Sequence, residues 1–349
     1  MALLPAFGKA PSGDVLKAFS KSPNFRNGIF HNEHPTSMTL EGISMLSLMG
    51  KFLSKPKDTS PPGPLPALKT DLNALDAGAP ILVWFGHSSY LLRIQGITIL
   101  VDPVLSGHAS PFPFMARSFS GTDPYRPEDM PPVDMLLLTH DHFDHLDYIT
   151  IRKIHKRCKM ICTSLGVGSH LRFWGVDPEK IRELDWWEEI PLGEGLRLTA
   201  APARHFSGRS MARFRTLWSS FILRGREYNL YLGGDSGYDD HFKRIGEQYG
   251  PFDLALLECG QYNLAWPRIH MMPEETVQAA IDLKAKWMMP VHWGKFSISL
   301  HPWDEPIRRV TLEAGKKKIS LTTPRIGEPV ILNQPYPQHA WWLEVKNPG

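Results

Sequence analysis

The stretch His140-Asp141-His142-Phe143-Asp144-His145 puts three imidazoles and two carboxylates into six consecutive positions. That density points to metal coordination. His and Asp are ligands of borderline divalent ions, and a sulfur-free donor set leaves coordination open for water. The run just before it, Asp134-Met135-Leu136-Leu137-Leu138-Thr139, is short, apolar and bounded by polar residues, the pattern of a buried strand. The candidate ligands therefore stand where a strand ends and a loop begins.

His205, Asp235 and His292 extend the set. Each again follows an apolar run, at residues 196–204, 228–234 and 287–291. Ligands at the ends of several strands are what a site on the rim of sheets requires. Gly233 and Gly234 precede Asp235; without a Cβ the backbone can approach a neighbour closely, which suits a carboxylate reaching between two ions.

The spacing His-x-His-x-Asp-His at 140–145, with isolated His, Asp and His downstream, resembles the metallo-β-lactamase superfamily of dinuclear metallohydrolases. The words Trp84-Phe85-Gly86-His87-Ser88-Ser89, Leu100-Val101-Asp102-Pro103 and His292-Trp293-Gly294 resemble one branch of it. That branch holds N-acyl-phosphatidylethanolamine-hydrolysing phospholipase D and the ascorbate-phosphate lactonases. The resemblance spans roughly residues 81–309. It implies an α/β fold, the four-layer αββα sandwich. It also implies that His140, His142 and His205 hold one divalent ion, while Asp144, His145 and His292 hold a second. Asp235 and a hydroxide would bridge the two. Imidazole and carboxylate suit Zn best, with Mn or Fe as alternatives.

By the same resemblance, Asp144 and His270 are the candidate catalytic residues. His270 matches a histidine beside the metals in the phospholipase D-like relatives, where it would bind substrate or protonate the leaving group; its imidazole has a suitable pKa. A structural role at a helix entry is the other reading. The segment Gly260-Gln261-Tyr262-Asn263-Leu264-Ala265-Trp266 departs from that branch, whose phospholipid hydrolases carry an acidic residue, proline and arginine there.

Several neighbours read as supports. Asp141 occupies a variable motif position and suits an outward or supporting carboxylate. Asp102, before Pro103, suits a hydrogen bond to a ligand or a loop-fixing turn. His87 suits a buried prop beside the site. Asp147 reads equally as part of the cluster or as a cap for the helix after it. Arg204, Arg209 and Arg213 flank His205 and suit either phosphate neutralisation or surface charge. Phe112, Phe114, Met115 and Phe119, in the loop 105–132, would form an apolar lip for acyl chains or be pinned to the body of the fold.

With 349 residues, 42% of them hydrophobic, the chain can hold one large α/β domain with extensions. A net charge of +3 without a basic arm disfavours nucleic-acid partners. The odd set Cys158, Cys162 and Cys259 offers no disulfide framework and points to a reducing compartment, with the first two read as core residues. The opening stretch 1–7 is short, contains proline and lacks a basic start, so the expected location is the cytoplasm. Residues 43–53 fall short of the ~20 that span a bilayer. Leu40, Ile43, Leu46, Met49 and Leu53 recur at helical spacing, a stripe for packing on the domain or for peripheral contact with a membrane or partner.

Residues 1–78 read as an N-terminal extension that includes the proline-rich linker 55–66, and 79–349 as the catalytic domain with a C-terminal tail. Short apolar runs at 81–85, 89–94 and 97–101, separated by Gly86 and by Gln95-Gly96, predict consecutive strands, two of them a hairpin. A helix over 146–157, a strand over 159–163 and a helix opening at Pro273 follow. This is the pattern of two packed sheets with helices outside. The function expected is a dinuclear hydrolase using a metal-bridging hydroxide on a small-molecule or lipid phosphodiester. Lactone hydrolysis is the alternative from the same centre. RNA cleavage lacks the basic surface it needs, and a non-catalytic scaffold would not keep all seven ligands.

Overall fold

A computed structural model describes residues 5–40, 42–43, 50–52, 54–76, 78–210 and 212–346. Two strands of two residues, β1 (Phe25–Arg26) and β2 (Ile29–Phe30), form a small hairpin near the N-terminus. The body is two seven-stranded sheets. One contains β3 (Ile81–Trp84), β4 (Tyr90–Ile94), β5 (Ile97–Val101), β6 (Val133–Leu138), β7 (Cys158–Ser164) and β8 (Ile181–Leu184). The other contains β9 (Glu189–Gly193), β10 (Leu196–Ala201), β11 (Ser220–Arg224), β12 (Asn229–Leu232), β13 (Leu254–Glu258), β14 (Trp287–Val291) and β15 (Ser320–Leu321). The seventh strand of the first sheet, β16 (Pro329–Ile331), returns from the far end of the chain to pair with β3.

The apolar runs are nearly continuous because both faces of the first sheet are buried. Leu82, Trp84, Leu92 and Leu137 face the second sheet and share a core with Leu198, Phe221 and Leu230. Their neighbours Ile81, Val83, Leu91 and Leu136 face the other way, against Ile151 and Ile154 of the helix Tyr148–Ile154. Alternation with period two sends successive side chains to opposite faces. The helices Pro273–Asp282 and Glu305–Lys317 cover the second sheet through Val277, Ala280, Ile307 and Val310. The result is the αββα sandwich.

Each sheet begins antiparallel and ends parallel: β5 to β8 run parallel in one, β12 to β15 in the other. Parallel strands end on the same edge, so the loops after β5, β6, β12, β13 and β14 gather there. Trp293, just past β14, is buried between Trp84 (5.6 Å) and Trp341 (5.1 Å). Removing its side chain would cost about 3–5 kcal/mol.

The proline-rich run lies along this body. The Leu65 N–H donates to the Ser120 carbonyl (2.8 Å) and the Trp303 N–H to the Asp58 carbonyl (2.8 Å). The C-terminal residues supply an edge strand and the buried Trp341 and Trp342, so they are part of the core. Of the helical stripe, Leu46, Met49 and Leu53 lie outside the described residues; Leu40 is exposed. Among the described residues no helix is long and apolar enough to cross a membrane.

Candidate metal centre

β6 delivers Thr139 and His140 to the edge, and the chain turns at once: the His145 and Leu146 N–H groups both reach the His142 carbonyl, at 3.1 and 2.8 Å. This tight turn points three rings inward. His142 Nδ1 lies 2.9 Å from His140 Nε2 and 3.1 Å from His205 Nε2. Asp235 Oδ2 lies 3.8 and 3.7 Å from the same two Nε2 atoms. These four residues form one donor set, all within 4.8 Å.

A second set contains Asp144, His145, His292 and His87. His145 Nε2 is 3.5 Å from Asp144 Oδ2, and His292 Nε2 is 4.0 Å from it. Asp235 turns its other oxygen here: Oδ1 is 3.1 Å from His145 Nε2 and 3.2 Å from His292 Nδ1. One carboxylate thus faces both sets. It reaches them because a Cβ on Gly233 would sit 2.4 Å from the Leu256 carbonyl oxygen, and one on Gly234 2.5 Å from that of Ser219.

The surroundings suit cations. The Ile269 carbonyl accepts from His205 Nδ1 at 2.7 Å and Asp102 Oδ2 from His145 Nδ1 at 2.7 Å, which leaves each Nε2 turned inward. Thr139 Oγ1 stands 3.0 Å from His140 Nδ1 and does the same for that ring. Burial holds His140, His205 and His292 well below the usual imidazole range, so their lone pairs are free. Burial alone would raise Asp144 and Asp235, yet facing His145 holds both well below the carboxylate range. Burial opposes charge on His145 too, but Asp235, Asp144 and Asp102 together raise it. His145 Nε2 and Asp235 Oδ1 are buried with no hydrogen-bond partner. Ionised carboxylates, the neutral rings of His140, His205 and His292, and orphaned donor atoms together fit divalent ions, and Zn by ligand type.

The supports are equally specific. Asp102 also accepts from the Thr139 N–H (2.9 Å) and Oγ1 (2.6 Å). His87 is fully buried and its Nε2 lies 2.9 Å from Asp144 Oδ2. His87, Asp102 and His292 all have positive φ (53°, 38° and 65°), a conformation non-glycine residues hold only when their surroundings impose it. Asp141 does not point outward: it is buried and accepts from His170 Nε2 (3.2 Å), Thr216 Oγ1 (2.9 Å) and the Gly208 N–H (2.7 Å). Asp147 caps the following helix, accepting from the Ile149 N–H at 3.1 Å.

Of the three arginines, Arg209 is buried and donates to the carbonyls of Ala6, Asp141 and Leu146. Arg204 is held by Thr36, Pro35, Tyr238 and Asp239. Only Arg213 is exposed, and it lines a cleft of about 500 Å³ over the donor sets. The apolar wall of that cleft is Phe52, Phe143, Phe206 and Trp266. Of the four candidates for the lip, Phe119 is pinned in the core, Phe112 packs 6.1 Å from Phe7, and Phe114 and Met115 are exposed; none of them lines the cleft. Cys158 and Cys162 are buried and free, their thiols pushed up to about 12 by burial, and belong to the core.

His270 joins Asp235 and His292 on the cleft wall. Behind it stands Glu258, a buried carboxylate ending β13, its Oε1 3.3 Å from His270 Nδ1. Sequence reading passed over Glu258. Its signal was an acid closing a fully apolar strand, the position from which candidate ligands also come.

Residues 98–293 match the family described as "Beta-lactamase superfamily domain". An uncharacterized protein of Mycobacterium tuberculosis is 38% identical over 97% of this chain and 92% of its own length. The N-acyl-phosphatidylethanolamine-hydrolyzing phospholipase D 1 of Caenorhabditis elegans is 30% identical over 70% of this chain and 74% of its own. Among solved structures, Igni18, a metallo hydrolase of Ignicoccus hospitalis, superposes with a TM-score of 0.56 at 19% identity, covering 74% of this chain and all of that one (100%). The chain, with histidines and aspartates gathered on the shared sheet edge, belongs to the beta-lactamase superfamily and is a metal-dependent hydrolase.

Proposed function

We propose that this enzyme is a phosphodiesterase with two divalent ions, most suitably Zn, acting on an anionic diester that carries an apolar arm, such as a lipid headgroup linkage. The observation that carries the two-ion reading is Asp235, whose Oδ2 and Oδ1 serve separate donor sets. Divalent ions held there supply a nucleophilic water at neutral pH and stabilise charge on the phosphoryl oxygens.

The remaining work falls to side chains. Phe52, Phe143, Phe206 and Trp266 line the cleft with apolar surface that excludes water and takes the apolar arm. Arg213, stacked over Phe206 with its guanidinium 5.6 Å from the ring centre, offers a cation to the diester at the cleft mouth. His270 holds a proton for the leaving oxygen, and Glu258 orients its ring. The similarity to the C. elegans phospholipase D supports a phospholipid-type diester. The free, buried Cys158, Cys162 and Cys259 support action in a reducing compartment.

The test is a substrate panel given to zinc-loaded enzyme: bis(p-nitrophenyl) phosphate, a phospholipid with an N-acylated headgroup, and a series of lactones. Turnover of the diesters, inhibited by a non-hydrolysable phosphodiester analogue, is the expected result. Acidification of unbuffered solution by lactones, with the diesters intact, would replace this reading with a lactonase.

A further inference from the structure

His205 lies in the loop after β10, beyond the ladder that holds the strand's backbone. Its main chain is held instead by one side chain from a distant part of the sequence. Asn32 Oδ1 accepts from the His205 N–H at 3.0 Å, and Asn32 Nδ2 donates to the His205 carbonyl at 2.8 Å. We propose that Asn32 is the positioning residue of the metal ligand His205, which makes the N-terminal segment a working part of the metal centre. This inference rests on the two-ion reading above.

A carboxamide presents a donor and an acceptor side by side, as the N–H and C=O of one residue require, and an ionised carboxylate does not. The amide orientation is fixed by a third bond, because Trp218 Nε1 also donates to Asn32 Oδ1 at 3.0 Å. Asn32 is itself anchored: Phe30, two residues earlier, is fully buried beside Phe19 and Trp218, and its N–H donates to the Phe214 carbonyl at 2.8 Å. The same segment grips the preceding residue, since Arg204 Nε donates to Thr36 Oγ1 at 2.9 Å and Nη2 to the Pro35 carbonyl at 3.1 Å. With the backbone held by Asn32 and Nδ1 by the Ile269 carbonyl, His205 Nε2 has one direction left, toward His142 Nδ1 and Asp235. Groups that orient a ligand in this way set metal affinity without touching the metal.

The experiment is a zinc titration of the full chain against a chromophoric chelator, with the absorption spectrum of the cobalt-substituted protein as a second readout. Asn32→Ala removes both bonds; Asn32→Asp is isosteric but sets an oxygen against the His205 carbonyl. Ile307→Ala, a core truncation in the helix over the second sheet, serves as the control for stability alone. In both Asn32 variants one zinc equivalent should be held about 10- to 100-fold more weakly, the other unchanged, and the cobalt spectrum altered. Ile307→Ala should lower the melting temperature and leave both equivalents as in wild type. The proposal is overturned if the Asn32 variants behave like Ile307→Ala, with reduced melting temperature and wild-type zinc affinity and spectrum. Wild-type protein that binds no zinc or cobalt would overturn the metal-centre reading itself, a separate outcome.

Discussion

Glu258 Oε1 lies 3.3 Å from Nδ1 of His270, on the wall of the cleft. The same oxygen accepts from the Met271 N–H at 3.0 Å, while Oε2 is buried without a partner. Burial raises the Glu258 carboxyl; burial lowers His270, but Glu258 offsets this and raises it. The two titrate as a pair. His270 Nδ1 is likewise buried without a hydrogen-bond partner, so Glu258 acts on the ring through its charge at 3.3 Å, favouring a proton on Nδ1 and leaving the opposite nitrogen for substrate. His270→Gln should therefore lower kcat on a phosphodiester about 10²- to 10⁴-fold, with zinc content unchanged. Glu258→Gln should lower it less. Steady-state kinetics alongside elemental analysis of each variant checks both; undiminished turnover in His270→Gln would remove the residue from the chemistry.

Asp102 bonds three groups that build the centre: the His145 ring and the Thr139 N–H and hydroxyl. Asp102→Asn can turn an amide donor toward the His145 Nδ1–H and lose the best of these bonds. Zinc affinity should fall about 10- to 100-fold. Competition with a chelator of known affinity measures it.

Arg213 is exposed and stands over Phe206 at the cleft mouth. Arg213→Ala should raise KM for an anionic diester by about tenfold, the scale of one charge-assisted contact. KM for an uncharged aryl ester should not move, and melting temperature should barely change, as expected for a surface site. Equal losses on both substrates would contradict the assignment.

His241 is buried beside Phe242, and burial lowers its pKa from 6.5 to about 3, with Arg244 and Arg204 adding to the effect and Asp239 opposing it. Between those values the unfolded chain takes up a proton that the folded one refuses. Stability therefore falls as pH falls through this window, by on the order of 2–3 kcal/mol at pH 4.5 for this site. In His241→Gln the drop in melting temperature from pH 7 to pH 4.5 should be smaller than in wild type. Thermal melts at the two pH values decide it.

Where structure follows from near neighbours, the sequence was readable. The expected strand at 97–101 matches β5 to the residue, and the apolar run at 287–291 is β14. The helix expected over 146–157 is an α-helix to Ile154 that tightens into a 3-10 turn over His155–Arg157. The donor residues stood out because three histidines and Asp144 crowd into 140–145 after an apolar run, and His205, Asp235 and His292 each follow another. What escaped depends on tertiary neighbours. Asn32 acts on a residue 173 positions away. β16 is three residues long and begins with proline, so it gave little strand signal, and its partner β3 lies near the start of the sandwich. Arg209 looked like a surface charge, yet its donors are used up by carbonyls of two other segments. The aromatic wall was hidden for the same reason: Phe52, Phe206 and Trp266 come from three separate segments that meet only in the fold.

The most direct measurement is metal stoichiometry paired with activity on one purified sample. Elemental analysis should find two equivalents of divalent metal per chain in wild type and fewer in Asp235→Ala. Exhaustive chelation should abolish turnover of bis(p-nitrophenyl) phosphate, and added zinc should restore it. A single equivalent retained equally in wild type and Asp235→Ala, or diester turnover that survives chelation, would contradict the account.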